Sequence, residues 1–269
     1  MIIDFHTHCF PEKIAEKAID TLSNAGAMLS TTDGTKEGLL KAMDEDGVDI
    51  SVVLQIATNE RQQRAVNDFA SSINGDRIIA FGSVHPDALD ALDELERISD
   101  MGITGVKFHP EYQNFFVDDI KMKPIYRKIS DLGLITVFHA GEDVGYRGPY
   151  HCMPENLERA LEWFNSPVVA AHWGGHNLGE EVIKRLCGKD VYFDMAFGYG
   201  NIAKPVAQKI IEKHGTDRIL FGSDSPWHRA KWEQIMVEFL DLSKEDKEKI
   251  YYKNAKKILN LEVERNVLQ

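Results

Sequence analysis

Two histidines one residue apart, His6 and His8, close an apolar run at the start of the chain, Met1-Ile2-Ile3-Asp4-Phe5. If that run is a strand, its side chains alternate between faces, so Asp4 and both imidazoles point the same way and the two rings can reach one cation. A histidine pair near a terminus is more often simply solvated, so the weight falls on whether the chain supplies partners. It does. Later apolar runs end in Lys107-Phe108-His109-Pro110, in Phe138-His139-Ala140-Gly141-Glu142-Asp143, in Ala171-His172-Trp173-Gly174-Gly175-His176 and in Gly222-Ser223-Asp224-Ser225-Pro226-Trp227. Taken singly, each of these is as well explained by a satisfied core histidine or a helix-capping aspartate. Packing needs alone do not place His at four run ends and Asp at a fifth. Imidazole and carboxylate without thiolate suit a catalytic divalent ion, which keeps one position open and lowers the pKa of bound water from ~15.7 toward ~7.

The elements that must position these residues alternate along the chain. Residues 50–56, 78–84, 103–109, 134–139, 167–172, 191–197 and 218–224 read, with the first run, as buried parallel strands. Between them lie helical stretches. Pro11 opens one with Ile14, Ala15, Ala18, Ile19 and Leu22 on one face, and another covers 36–46. A polar helix runs through Ala65, Phe69 and Ile73, and Asp87 caps one that carries Leu89, Leu92, Leu95 and Ile98. Residues 123–132, a segment from Pro154 through Phe164, 178–187 and 204–214 follow, and 244–261 form a charged amphipathic tail with Ile250, Ile258 and Leu259 inward. Eight strands, each followed by a helix and with no Pro/Ser-rich linker, predict an α/β fold: one closed (β/α)8 TIM barrel, a single domain over residues 1–269. In such a barrel the strand C-termini surround one pocket, which would make the residues above neighbours. A doubly wound open sheet is the alternative, but no Gly-x-Gly-x-x-Gly turn follows a strand.

Composition narrows the partners. Lys+Arg 31 against Asp+Glu 43 gives a net charge of −12, which argues against nucleic acid or an acidic membrane surface and leaves room for a small anionic substrate. No apolar run approaches the ~20 residues that span a bilayer, and no basic segment precedes an apolar one at the start, so the reading is cytoplasmic. Cys9, Cys152 and Cys187 are too few and too far apart for a disulfide framework or a thiolate zinc site. A homodimer is expected by analogy only.

Asp4-Phe5-His6-Thr7-His8, Gly105-Val106-Lys107-Phe108-His109-Pro110, His139-Ala140-Gly141, His172-Trp173-Gly174-Gly175, Gly222-Ser223-Asp224-Ser225-Pro226 and Asn254-Ala255 span nearly the whole chain. In order and spacing they resemble the amidohydrolase superfamily, and within it the amidohydrolase-related (family 2) branch of aminocarboxymuconate semialdehyde decarboxylase-like enzymes. The resemblance implies metal ligands at His6, His8, His139 and Asp224, with His172 a further ligand or a catalytic acid/base beside the metal. The expected ion is one Zn²⁺, with Mn²⁺, Fe²⁺, Co²⁺ or Ni²⁺ as other occupants and a second ion left open. Asp224, a ligand through one oxygen and a proton acceptor through the other, would be the general base in water attack on a carbonyl, cleaving a C–N, C–O or C–C bond. A non-oxidative decarboxylase would use the same ligands. A TatD-like metal nuclease shares the His-x-His start, but Ser83-Val84-His85-Pro86 offers no acid at the third strand end.

The substrate side is read from the loops at residues 112–119 and 142–153, whose mixed aromatic, acidic and Arg content fits a small polar or anionic molecule. Arg61, Arg64 and Arg147 could pair with a substrate carboxylate, although solvated cations are commoner. Tyr112, Trp173 and Trp227 would wall the pocket, Trp173 foremost because it follows His172. Glu142 would orient His139 or cap a turn, and His176 lies past its strand. Lys107 and His109 share one face of their strand. Facing inward, they would meet a substrate oxygen, or Lys107 as a carbamate would bridge two ions; facing the helices, a buried Lys would be costly.

Overall fold

The computed structural model describes residues 1–261. Eight parallel strands run in sequence order: β1 (Ile3–Thr7), β2 (Ile50–Leu54), β3 (Ile78–Phe81), β4 (Gly105–Phe108), β5 (Ile135–Phe138), β6 (Val168–Ala170), β7 (Tyr192–Asp194) and β8 (Ile219–Leu220). Regular ladders join β1-β2-β3 and β4 through β8. A few backbone hydrogen bonds close the two seams. Gly82 and Lys107 bond across β3 and β4 (Lys107 N–H to Gly82 C=O, 2.8 Å), and Phe5 N–H donates to Phe221 C=O at 2.8 Å between β1 and β8. A closed barrel leaves no sheet edge, so the doubly wound alternative is excluded.

Inward positions fill the barrel axis. Ile3, Phe5, Val52, Leu54, Phe81, Ile135, Val137, Val169 and Leu220 form its apolar interior. Gly105 is required there: a Cβ at that position would stand 2.3 Å from the Phe81 ring. The outward strand residues, among them Val53, Ala80, Val106, Phe108 and Phe193, pack against the surrounding helices in a second apolar layer.

Those helices are α1 (Glu12–Gly26), α2 (Lys36–Asp46), α3 (Gln63–Ile73), α4 (Ala91–Asp100), α5 (Lys123–Asp131), α6 (Pro154–Ala160), α7 (Gly179–Arg185), α8 (Lys204–His214), α9 (Ala230–Phe239), α10 (Lys244–Glu248) and α11 (Asn254–Ile258). Ala255, Ile258 and Leu259 pack against Ile3 and Phe5, and Asn254 donates to Thr216 C=O and Ile219 C=O, so α11 plugs the N-terminal end. The opposite end stays open above the strand C-termini.

Several sequence expectations need correction. The strands are shorter than their apolar runs, and His109, His139, His172 and Asp224 all lie just past the strand ends. His172, Trp173 and Asp224 have left-handed backbones (φ 57, 60 and 71°), so the chain has already turned out of the strand where these side chains are presented. Asp4 does not share the face of His6: a register irregularity between Asp4 and Thr7 shifts the alternation. Ile3 and Phe5 face the axis, and Asp4 instead accepts from Ser223 N–H (2.9 Å) and Ser223 Oγ (2.6 Å). Asp87 does not cap α4, which begins after Asp90, and Leu89 and Leu92 are exposed because they precede or turn away from its buried face. The helix α9 was absent from the sequence reading, and the tail from 244 is interrupted by a π turn over Lys249–Lys253.

Candidate metal centre and active-site cavity

A cavity opens at the C-terminal end of the strands, lined by His6, His8, Lys107, His109, Tyr112, His139, His172, His176, Asp224 and Trp227 among others. At its floor, His6 Nε2 and His8 Nε2 are 3.2 Å apart, and they lie 3.3 and 3.2 Å from Asp224 Oδ1. Their other ring nitrogens are committed. His6 Nδ1 faces Asp194 Oδ2 at 2.9 Å and His8 Nδ1 faces Leu54 C=O at 2.8 Å, acceptors that require a proton on each Nδ1. Neutral imidazoles so held direct their Nε2 lone pairs at each other and at a carboxylate oxygen, with no hydrogen in between. A cation resolves that clash. Donors ~2.0–2.2 Å from a shared ion stand roughly 3.0–3.5 Å from one another, which is the spacing found.

Burial pushes His6, His139 and His172 well below the ordinary imidazole range, so lone pairs rather than charges are offered. His172 Nδ1 donates to Ala196 C=O (3.1 Å), leaving Nε2 to accept from His139 Nδ1 at 3.1 Å. His139 Nε2 is then a lone pair, and it is buried without a hydrogen-bond partner. Two strand-end imidazoles are thus chained beside the His6–His8–Asp224 group, and the orphaned nitrogen fits a ligand role.

Asp194, which the sequence reading passed over, organises this floor. Besides His6 it accepts from His172 N–H (2.9 Å) and Ala196 N–H (3.1 Å), fixing the left-handed turn that presents His172. The signal was available. An Asp inside an apolar run is costly unless it faces a polar site, but reading the seventh strand on to Phe197 hid that Asp194 is its last residue.

A second group lies on the cavity wall. His109 Nε2 and His139 Nε2 are 3.4 and 3.7 Å from Asp143 Oδ2, and Tyr112, His109 and His139 form one stack of rings (centroids 3.7 and 4.2 Å). Asp143, not Glu142, is the carboxylate against His139; Glu142 accepts from Asn177 instead. Lys107 faces the cavity rather than the helices. It is 1% exposed, its Nζ has no hydrogen-bond partner, and burial lowers its pKa to about 8. An unpaired buried ammonium aimed into a cavity is a site for an anion.

Other sequence candidates fall elsewhere. Arg61 is exposed and outside the cavity, as are Arg64 and Arg147, so Lys107 is the cation on the cavity wall among the described residues. Trp173 does not wall the pocket; the left-handed turn at His172 sends its ring back into the core, 3% exposed. His176, by contrast, lines the cavity because Gly141 and His176 pair as an isolated bridge; a Cβ on Gly141 would stand 2.3 Å from His176 N.

A closed (β/α)8 barrel with imidazoles and a carboxylate converging at the strand C-termini defines a metal-dependent TIM-barrel enzyme. The chain belongs to the Amidohydrolase family (Amidohydro_2), whose model matches residues 3–261. No curated protein matches the sequence. Solved structures share the fold. An uncharacterized TIM-barrel protein from Bordetella bronchiseptica is 19% identical, with 96% of this chain and 98% of that chain covered and a TM-score of 0.75. A 2,6-dihydroxybenzoate decarboxylase from Rhizobium is 16% identical (97% and 99% covered, TM-score 0.71). A 5-carboxyvanillate decarboxylase from Novosphingobium aromaticivorans, solved with bound manganese, is 14% identical (97% and 97% covered, TM-score 0.69).

Proposed function

We propose that this enzyme uses one divalent ion, held by His6, His8, His139 and Asp224, to cleave a carbonyl-bearing bond of a small anionic organic molecule with water. The observation that carries the reading is the convergence of His6 Nε2, His8 Nε2 and Asp224 Oδ1 within 3.2–3.3 Å. When bound, the ion supplies Lewis acidity and brings water toward ionisation at neutral pH. Asp224 takes the proton that water gives up. His172, hydrogen-bonded through both ring nitrogens to Ala196 and His139, holds the His139 ring in place beside it. Lys107 holds the substrate's negative charge and stays unmodified. Imidazole plus carboxylate suits Zn²⁺, and the manganese in the Novosphingobium structure makes Mn²⁺ its competitor.

Non-oxidative decarboxylation is a second reading, favoured by a specific feature. The buried, unpaired Lys107 Nζ is suited to a carboxylate, and two of the structural neighbours carry decarboxylase names. Metal analysis followed by a screen of lactones, small amides and carboxylated aromatics tests both. Incorporation of one ¹⁸O from labelled water supports hydrolysis, whereas release of CO₂ without it replaces hydrolysis by decarboxylation. A purified protein with no divalent ion, and no activity on adding one, overturns both.

A further inference from the structure

Beside the candidate active site runs a second depression, between α1 and α3. The two share His8, Phe10, Leu22, Ile56 and Tyr112 in their linings, so they adjoin. Its character differs. No Asp, Glu, Lys or Arg lines it, and its walls are apolar side chains such as Ile14, Ala18, Ala65, Val66 and Phe69. Two of the polar side chains on it are engaged within the fold: Gln55 Nε2 donates to Cys9 C=O (3.1 Å) and Thr58 Oγ1 donates to Gln62 Oε1 (2.8 Å). The helix α1 has apolar residues spaced to be buried, yet Ile14 is 51% exposed and Ala18, Ile19 and Leu22 are only half-buried.

We propose that this groove receives the apolar tail of the substrate, so that the enzyme acts on an amphiphilic molecule whose anionic head sits at Lys107 and whose hydrocarbon arm lies between α1 and α3. The proposal rests on the functional reading only for the position of the head. The shared wall with the cavity that holds Lys107 favours a tail of the same ligand over a second copy of the chain, which would have to cover the mouth of the active site to reach the groove. A polar substrate would leave this uncharged surface unpartnered in water, the state that apolar contact relieves.

Straight-chain carboxylates from butyrate to decanoate, titrated calorimetrically into the metal-loaded full-length protein and into the metal-free protein, test this directly. Each methylene buried in the groove should tighten binding about three- to fourfold, until the groove is filled. Ala65→Trp should flatten that series, bringing octanoate to within about twofold of butyrate, whereas Leu89→Ser, at an exposed apolar position outside the groove, should keep the wild-type slope. A flat series in the wild type, or one that Ala65→Trp does not change, overturns the proposal. So does sedimentation showing a dimer that Ala65→Trp dissociates while the series persists. Failure of the reaction reading looks different. It leaves the chain-length series intact in the metal-loaded and metal-free protein while His6→Ala has no effect on metal content.

Discussion

The cavity holds two groups of two histidines and one aspartate, and they are not equivalent. In the floor group the rings of His6 and His8 meet at 70° with centroids 5.1 Å apart; in the wall group those of His109 and His139 lie 14° from parallel at 4.2 Å. An imidazole lone pair lies in the plane of its ring. Rings set steeply to each other can therefore aim their lone pairs at one point, while stacked rings aim them side by side. The floor group also has its Nδ1 protons fixed by Asp194 and Leu54, so that Nε2 is the free nitrogen of both rings. Residue type and proximity do not distinguish a metal site from a stack; ring angle and outer hydrogen bonds do.

The sharpest break of that comparison is to remove one ring from each group. His6→Ala is expected to lose the stoichiometric ion and all turnover, whereas His109→Ala keeps one equivalent of metal. Elemental analysis of the purified variants decides. Full occupancy in His6→Ala, or loss of the ion in His109→Ala, would reverse the roles of floor and wall.

Next in size are the carboxylates. Asp224→Asn should keep the fold and lower kcat at least ~10²-fold, the usual cost of losing a general base. Asp194→Asn, which disturbs the proton on His6 Nδ1, should weaken metal affinity ~10–100-fold by competition with a chelator. Asp143→Asn on the wall should leave that affinity within about twofold, and an equal loss there would make the stack a second ion site.

Lys107→Ala tests the wall from the substrate side. Removing a charge-assisted partner should raise KM by about ten- to a hundredfold while the ion stays bound. Two metal equivalents in the wild type, lost in this variant, would instead identify a bridging carbamate.

The smallest effect separates a histidine buried for structure from those buried for chemistry. His214 stacks on Phe193 at 4.1 Å, bonds Val191 C=O through Nε2, and is held by burial at a pKa of about 4. The unfolded chain takes up that proton near pH 6.5 while the folded one waits until about 4, so its contribution is whole above 6.5 and declines as the pH falls toward 4. In urea titrations His214→Phe should be the less stable at pH 7, and the gap to wild type should narrow at pH 5. A gap that is constant across this range would reject the linkage.

Alternation of strand and helix, the barrel and the strand-end residues were legible in the chain because burial on both faces and helical periodicity leave strong local patterns. That His6, His8 and Asp224 come together was legible too, since His-x-His and Ser-Asp-Ser-Pro stand at strand ends that a barrel makes neighbours. What tertiary structure alone decided was direction. The irregularity after Asp4 turned that carboxylate away from the histidines it seemed to accompany, and the left-handed backbone at His172 and Trp173 sent one side chain to the cavity and the next into the core. Asp194 and Asp143 became partners of His6 and His139 only when β7 and the loop after β5 were brought beside them, 188 residues away in the first case and four in the second. Sequence pattern records which face a residue takes while the chain is regular. Where the chain leaves its strand, the turn that aims each side chain is set by contacts from other parts of the barrel, and no local pattern carries them.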